Sequence, residues 1–202
     1  MHTPVQYFTI NQQASAEYKD RNSKFIAYAF PFPDKNDLRK HLDELKKMHV
    51  KAGHFCYAYR IGADGNDFRS SDNGEPSGTA GKPILGQIDK QNLGDVLIIV
   101  VRYFGGTLLG VPGLANAYKT AASLVLQMLP VITKDIEKAY QLHFPYEKLN
   151  EIMQVIKSCN GRIIQQESML FCSMQLMIPA INLPQFLDMM RQVQGLEMEA
   201  MK

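Results

Sequence analysis

The sequence contains no tryptophan, only three cysteines and no glycine before Gly53. Cys56, Cys159 and Cys172 are odd in number and show no CxxC spacing, which argues against a disulfide framework. They read as reduced, mostly buried thiols of a cytoplasmic protein. No apolar run approaches the ~18 residues that a membrane helix needs, so no membrane partner is expected. The opening MHTPVQYFTINQQ lacks a basic segment followed by an apolar one, so no secretory signal is expected. A large excess of one charge is missing as well. The net charge is +2, with 16 basic and 14 acidic residues in 1–137 and six of each in 138–202. Neither part has the strong basic excess of an obligate nucleic-acid binder, although a local patch can still act. What is present is a 46% hydrophobic fraction over 202 residues, enough to bury a core in one large domain or two modest ones.

Hydrophobic periodicity divides the chain. Lys24–Phe30 reads as a strand ended by Pro31 and Pro33. Asp34 offers an N-cap to a helix whose buried stripe is Leu38, Leu42, Leu45 and Met48. The opposite face of that helix holds Lys35, Arg39, Lys40, Lys46 and Lys47 among three acids, and reads as a solvated face. His54–Ile61 alternates like a half-exposed strand, with Asp67–Ser71 as its hairpin partner. A short helix is expected within Gly78–Lys90. Asp95–Val101 reads as a central strand covered on both faces. A loop Arg102–Val111 follows, then an Ala- and Leu-rich helix from Pro112 to about Met128.

From about Ala139 the character changes. Eight of the eleven methionines lie here, read as adaptable core filler. The pattern is strand (140–146), helix (147–158), an Asn160-Gly161 turn, strand (162–167), strand (170–178), helix (183–193) and strand (196–201). That order is the ferredoxin-like βαββαβ arrangement. The expected domains are therefore 1–135 and 136–202.

Twelve of the 14 glycines fall between Gly53 and Gly113, and two stretches are richest: Ser71–Pro83 and Val100–Leu114. A phosphate-binding loop ending at Gly81-Lys82 would need glycine at position 76, which is Pro76, and a Ser or Thr at position 83, which is Pro83. There is no GxGxxG in the second stretch, so dinucleotide binding has no support. Two readings stay open. In one, glycine backbone N–H groups converge on an anion, with Lys82 and Arg102 pairing with phosphate or carboxylate. In the other, the glycines serve turns and close packing, and Asp72 and Glu75 pair with Lys82 and Arg102. His54, Asp72 and Glu75 are candidates for acid–base work, and His54 and Cys56 share a strand face. A lone strand histidine is more often structural, and no catalytic residue, cofactor or metal is assigned.

The same two stretches, SDNGEPSGTAGKPIL and VVRYFGGTLLGVPGLANAY, with HFCYAYRIG and RNSKFIAYAF upstream, closely resemble the signatures of the Impact/YigZ family. The resemblance runs over nearly the whole chain. It implies an α+β fold: an N-terminal domain like the second domain of ribosomal protein S5, followed by a ferredoxin-like domain similar to one in elongation factor G. Eukaryotic relatives act in translational control, binding the activator of a general-control kinase and restraining that kinase. RNA, the ribosome or a translation-related protein are thus the implied partners, and an enzyme acting on a small anionic or nucleotide substrate is the alternative. Carried over by position, the expected ligand-binding residues are Ser71, Asp72, Gly74, Glu75, Gly78, Thr79, Gly81, Lys82, Arg102, Tyr103, Gly105 and Gly106. The motifs also cover Pro76, Pro83, Gly110, Gly113, Leu114 and Tyr118. Three departures matter: Asn73 stands where aspartate is common, Pro112 where glycine is common, and Asn116 where a basic residue often sits.

Overall fold

The computed structural model describes residues 4–201, so the outermost residues of the two expected domains, 1–3 and 202, lie outside it. The fold is α+β, built on antiparallel sheets. Its elements are β1 (Gln6–Thr9), β2 (Ala14–Asp20), β3 (Ser23–Pro31), α1 (Leu38–Met48), β4 (His54–Ile61), β5 (Asp67–Ser71), α2 (Gly81–Lys90), β6 (Val96–Tyr103), α3 (Gly110–Gln127) and β7 (Ile132–Asp135). There follow β8 (Glu137–Pro145), α4 (Leu149–Ser158), β9 (Arg162–Ser168), β10 (Phe171–Pro179), α5 (Leu183–Met190) and β11 (Glu197–Ala200). Two compact units result, one of Tyr7–Lys134 and one formed mainly by the chain from Asp135 onward.

The first unit is organised by a five-stranded sheet in the order β2-β3-β6-β4-β5. Its central strand β6 sends Val96, Ile98 and Val100 to one face and Leu97, Ile99 and Val101 to the other, all fully buried. Alternation on a pleated strand makes this unavoidable once both faces are covered. On one face these residues join Phe25, Ala27, Cys56 and Ala58 beneath α2 and α3. On the other, Phe32, Phe55, Tyr57 and Tyr59 pack with Leu38, Leu42 and Leu45 of α1.

Several expectations need correction. β4 is not half-exposed: Phe55 to Tyr59 are all buried, because helices cover both sides and the tyrosine rings supply the α1 face. The α1 stripe ends at Leu45, since Met48 is the last helical residue and 63% exposed. Arg102 and Tyr103 belong to β6 and not to a loop, paired with Phe25 and Lys24 of β3. Asp34 caps a short 3-10 turn, accepting from Asn36 N–H at 2.9 Å, and α1 starts after it. β2 joins β3 through a two-residue turn in which both Arg21 and Asn22 have positive φ, the geometry of the tight hairpins that match strand twist.

The second unit is a four-stranded antiparallel sheet in the order β11-β8-β10-β9. With α4 and α5 in the crossovers, this is the ferredoxin-like βαββαβ order. The even-numbered residues of β10 (Cys172, Met174, Leu176 and Ile178) face the core with Ile152, Ile156 and Phe186. Met174 and Met190 fill that core, whereas Met169 is 79% exposed at the β9–β10 turn, so core filling describes only some of the methionines. All three cysteines are buried and free.

Candidate functional site

The loop between β5 and α2 folds over the end of the sheet beside α3. Asp72 follows the last residue of β5, Ser71, and turns its carboxylate back onto the start of α2. Oδ2 accepts from Gly78 N–H at 2.8 Å, and Oδ1 from the N–H groups of Ala80 and Gly81 at 2.9 and 2.8 Å. A helix start exposes unsatisfied N–H groups that attract an anion. Here the chain fills that place with its own carboxylate. Burial alone pushes the Asp72 carboxyl up, but the bonds from Gly78, Gly81 and Ala80, with Lys82 nearby, more than offset this and hold its pKa below the usual value. Folded Asp72 therefore gives up its charge at lower pH than unfolded Asp72. Its contribution is complete above about pH 4 and is lost as pH falls through the folded value. Asp72→Ala is expected to cost about 1–2 kcal/mol at neutral pH, as lost helix caps do. Urea unfolding between pH 7 and pH 3 checks both points. The wild type should lose more stability on acidification than Asp72→Asn, and parallel profiles would remove this role.

Around Asp72 the loop is closed by local bonds. Thr79 is buried, its hydroxyl donating to Pro76 C=O at 2.7 Å. Asn73 takes a positive φ that asparagine tolerates, and its side-chain oxygen accepts from Phe55 N–H at 2.9 Å. Gly74, Gly78 and Gly106 also have positive φ. Gly81 lies so close to β5 that an added methyl would sit 2.6 Å from Ser71 N.

Beneath the loop, Glu75 points inward. Its Oε1 accepts from Arg102 Nη1 at 2.6 Å and from the Tyr118 hydroxyl of α3 at 2.8 Å. Arg102 is only 5% exposed, and its guanidinium carbon lies 5.5 Å from the ring centroids of both Phe25 and Phe104. Arg102 Nε is buried without a hydrogen-bond partner among the described residues. His54 Nε2 lies 3.9 Å from Glu75 Oε1, while its Nδ1 meets Asn73 C=O at 3.0 Å. Cys56 shares the strand face with His54 but bonds elsewhere, its thiol 2.9 Å from Asp72 C=O and 3.3 Å from the Tyr118 hydroxyl. Burial pushes the Cys56 thiol up to about 12, which removes the thiolate that nucleophilic chemistry requires.

The expected ligand-binding residues therefore divide. Ser71, Asp72, Gly74, Glu75, Gly78, Thr79, Gly81 and Lys82 build the loop and the start of α2, with Arg102 beneath them. Glu75 pairs with Arg102, while Asp72 bonds backbone and leaves Lys82 exposed. Tyr103, next along β6, points to the opposite face of the sheet, where its hydroxyl is 2.8 Å from His49 Nδ1. His49 Nε2 in turn is 2.7 Å from the Tyr28 hydroxyl. Gly105 presses on the β2–β3 turn, donating to Ser23 Oγ at 3.2 Å. Gly106 opens an exposed loop carrying Leu108, 82% exposed, between the exposed Phe104 and Val111. Tyr118, within the recognised motif but given no role there, is the residue that sequence reasoning missed. Its signal was a lone tyrosine on the alanine-rich face of α3. Among the described residues no three His, Cys, Asp or Glu side chains are grouped as a metal ion would need.

Comparison with known proteins places this arrangement. Residues 21–126, just over half of the chain, match the family described as the Impact N-terminal domain. The chain is 32% identical over 168 residues to the IMPACT family member YigZ of Escherichia coli, covering 82% of each protein. It is 34% identical over 146 residues to the IMPACT family member YvyE of Bacillus subtilis, covering 72% of this chain and 67% of that one. A solved structure described as that of a hypothetical protein superposes with a TM-score of 0.79 at 27% identity, covering 99% of both chains. The loop that seats Asp72 and Glu75, the strand that carries Arg102 and the helix that carries Tyr118 all lie within the matched span, and the chain belongs to the Impact family.

Proposed function

We propose that this chain is a translation-associated binding protein that docks its Gly-rich loop face on the ribosome or on a ribosome-associated partner. One observation carries the reading. Three of the charged groups that anion or acid–base chemistry would use are engaged inside the protein, Asp72 on the start of α2 and Glu75 with Arg102, the carboxylate also accepting from Tyr118. The groups left exposed beside them are Lys82 on one side and Phe104, Leu108 and Val111 on the other. Large apolar side chains grouped on a surface loop mark an interaction site better than a reaction centre. Catalysis on a small anionic substrate has less support, because the guanidinium that would clamp the anion is already neutralised by Glu75.

Cosedimentation with ribosomes across a salt series tests the proposal. Leu108→Asp should weaken association about tenfold or more at every salt concentration, as loss of an apolar anchor does. Lys82→Ala should weaken it at low salt and flatten the salt slope by about 0.7–0.9 if the lysine meets a phosphate. Wild-type behaviour of both variants would show that another face makes the contact. Failure of the wild type to cosediment would remove the ribosome from the reading.

A further inference from the structure

The α1 side of the first unit's sheet holds a groove that the loop face does not use. Between the start of β2, the α1-facing residues of β3 and helix α1 lies a cavity of about 400 Å³, lined among others by Gln13, Ser15, Tyr28, Phe30, His41 and Glu44. That volume falls within the range of small-ligand pockets. Tyr28 and Phe30 are two residues apart on β3 and so share a face. Their rings are 11° from parallel with centroids 6.4 Å apart. His41 of α1 extends the ladder, its ring centroid 4.4 Å from that of Phe30. His41 Nδ1 is buried and makes no hydrogen bond among the described residues, and burial lowers its pKa, which favours the neutral ring. Glu44 and Gln13 stand exposed at the rim, and Glu44 is in no ion pair among the described residues.

Charge completes the pattern. Lys35 and Arg39 are paired with Asp67 and Asp43. Lys40 and Lys47 are exposed and lie four residues before and three after Glu44, which makes them its neighbours on the helix surface. Neither is in an ion pair among the described residues. A row of near-parallel aromatic rings, a carboxylate at its edge and two cations flanking that carboxylate match one ligand chemistry. We propose that this groove binds an unpaired nucleobase of single-stranded RNA that carries an exocyclic amino group. The base stacks along the Phe30–Tyr28 ladder, its amino group donates to Glu44, and Lys40 and Lys47 neutralise the adjoining phosphates. Stacking on aromatic side chains suits any base, and the carboxylate supplies the selection, since cytosine offers an amino donor that uracil lacks. A duplex keeps its base faces covered and cannot enter. The inference goes beyond the loop-face reading and stands without it.

Anisotropy of end-labelled eight-nucleotide RNAs with the full chain is the test, using oligo-C, oligo-U and a duplex of the same length. Oligo-C should bind about tenfold or more tightly than either of the others. Phe30→Leu keeps an apolar side chain in place but removes the ring, and should weaken oligo-C binding by about tenfold. Tyr28→Phe keeps its ring and should bind as the wild type does. Glu44→Ala should narrow the gap between oligo-C and oligo-U. The double variant Lys40→Gln with Lys47→Gln should flatten the salt slope by about 1.4, two single-strand phosphate contacts. Equal binding of the three RNAs overturns the proposal, as does competition by free cytidine monophosphate as effective as that by oligo-C. Should Phe30→Leu fail to fold, wild-type binding by Glu44→Ala and the lysine double variant overturns it equally. Ribosome cosedimentation in the absence of any oligonucleotide binding would remove this inference and leave the loop-face reading in place.

Discussion

Glu75→Ala is expected to lower the stability of the first unit by about 3–5 kcal/mol, the usual cost of removing one partner from a buried ion pair. The Glu75 side chain is 3% exposed and that of Arg102 6%, so neither can turn to water for compensation. Losing Glu75 strands the Arg102 charge between Phe25 and Phe104 and deprives the Tyr118 hydroxyl of its acceptor. The pair itself need not add much net stability, because taking both charges out of water offsets most of their attraction. A double variant, Glu75→Leu with Arg102→Met, should therefore recover most of the loss by filling the space with apolar groups. Urea unfolding of wild type, both single variants and the double variant measures the coupling. A cost below about 1 kcal/mol for Glu75→Ala, or strictly additive losses in the double variant, would sink this account.

The second large effect concerns Gly105. An added methyl here would overlap the Asn22 carbonyl and the Ser23 amide of the β2–β3 turn. That backbone has little room to retreat, since β2 and β3 are in register up to Asp20 opposite Ser23, and β3 is pinned on its other side by β6. Gly105→Ala should cost about 3 kcal/mol, the upper end of ordinary overpacking. Gly106 makes the contrast. It has a φ of +84° but open space around it, so Gly106→Asn should cost only about 1 kcal/mol, the ordinary strain of a left-handed residue. Thermal unfolding of the two variants distinguishes them. If Gly105→Ala melts no lower than Gly106→Asn, close backbone approach is not the reason for glycine at 105.

How far the sequence could be read follows from where its signals are local. β3, β4, β6 and the βαββαβ order of the second unit carry strong hydrophobic periodicity, and each was visible. β2 was not, because Ala14–Asp20 alternates small and charged residues on an edge strand, and the Arg21-Asn22 turn lacks the glycine that announces such hairpins. The Gly-rich stretches were visible as loops only in part, since Arg102 and Tyr103 complete β6 and Gly81 and Gly110 begin helices, but the choice between an anion cradle and internal pairing was visible. What could not be read is that Asp72 would bond the three N–H groups of Gly78, Ala80 and Gly81, or that Glu75 would meet a residue 27 positions away. Such pairings depend on how strands cross in space, which no spacing rule encodes. The aromatic groove had a legible half: Tyr28 and Phe30 at alternate positions of a strand whose other face is Phe25, Ala27 and Ala29. Its other half, His41 and Glu44, needed the placement of α1 over the sheet.

The strand order β2-β3-β6-β4-β5 also governs how this protein comes off the ribosome. β3 and β4 are not neighbours; each waits for β6 to come between them. β6 begins roughly 65 residues after β3 ends, which at synthesis rates of about 5–20 residues per second is a delay of roughly 3–13 s. Until then β3 can pair only with β2, and β4, once made, only with β5, so each keeps a free edge toward the place of the missing centre. An unpaired strand edge is a template for wrong pairing, so the late arrival of the middle strand is the step at which the nascent first unit is most open to misassembly.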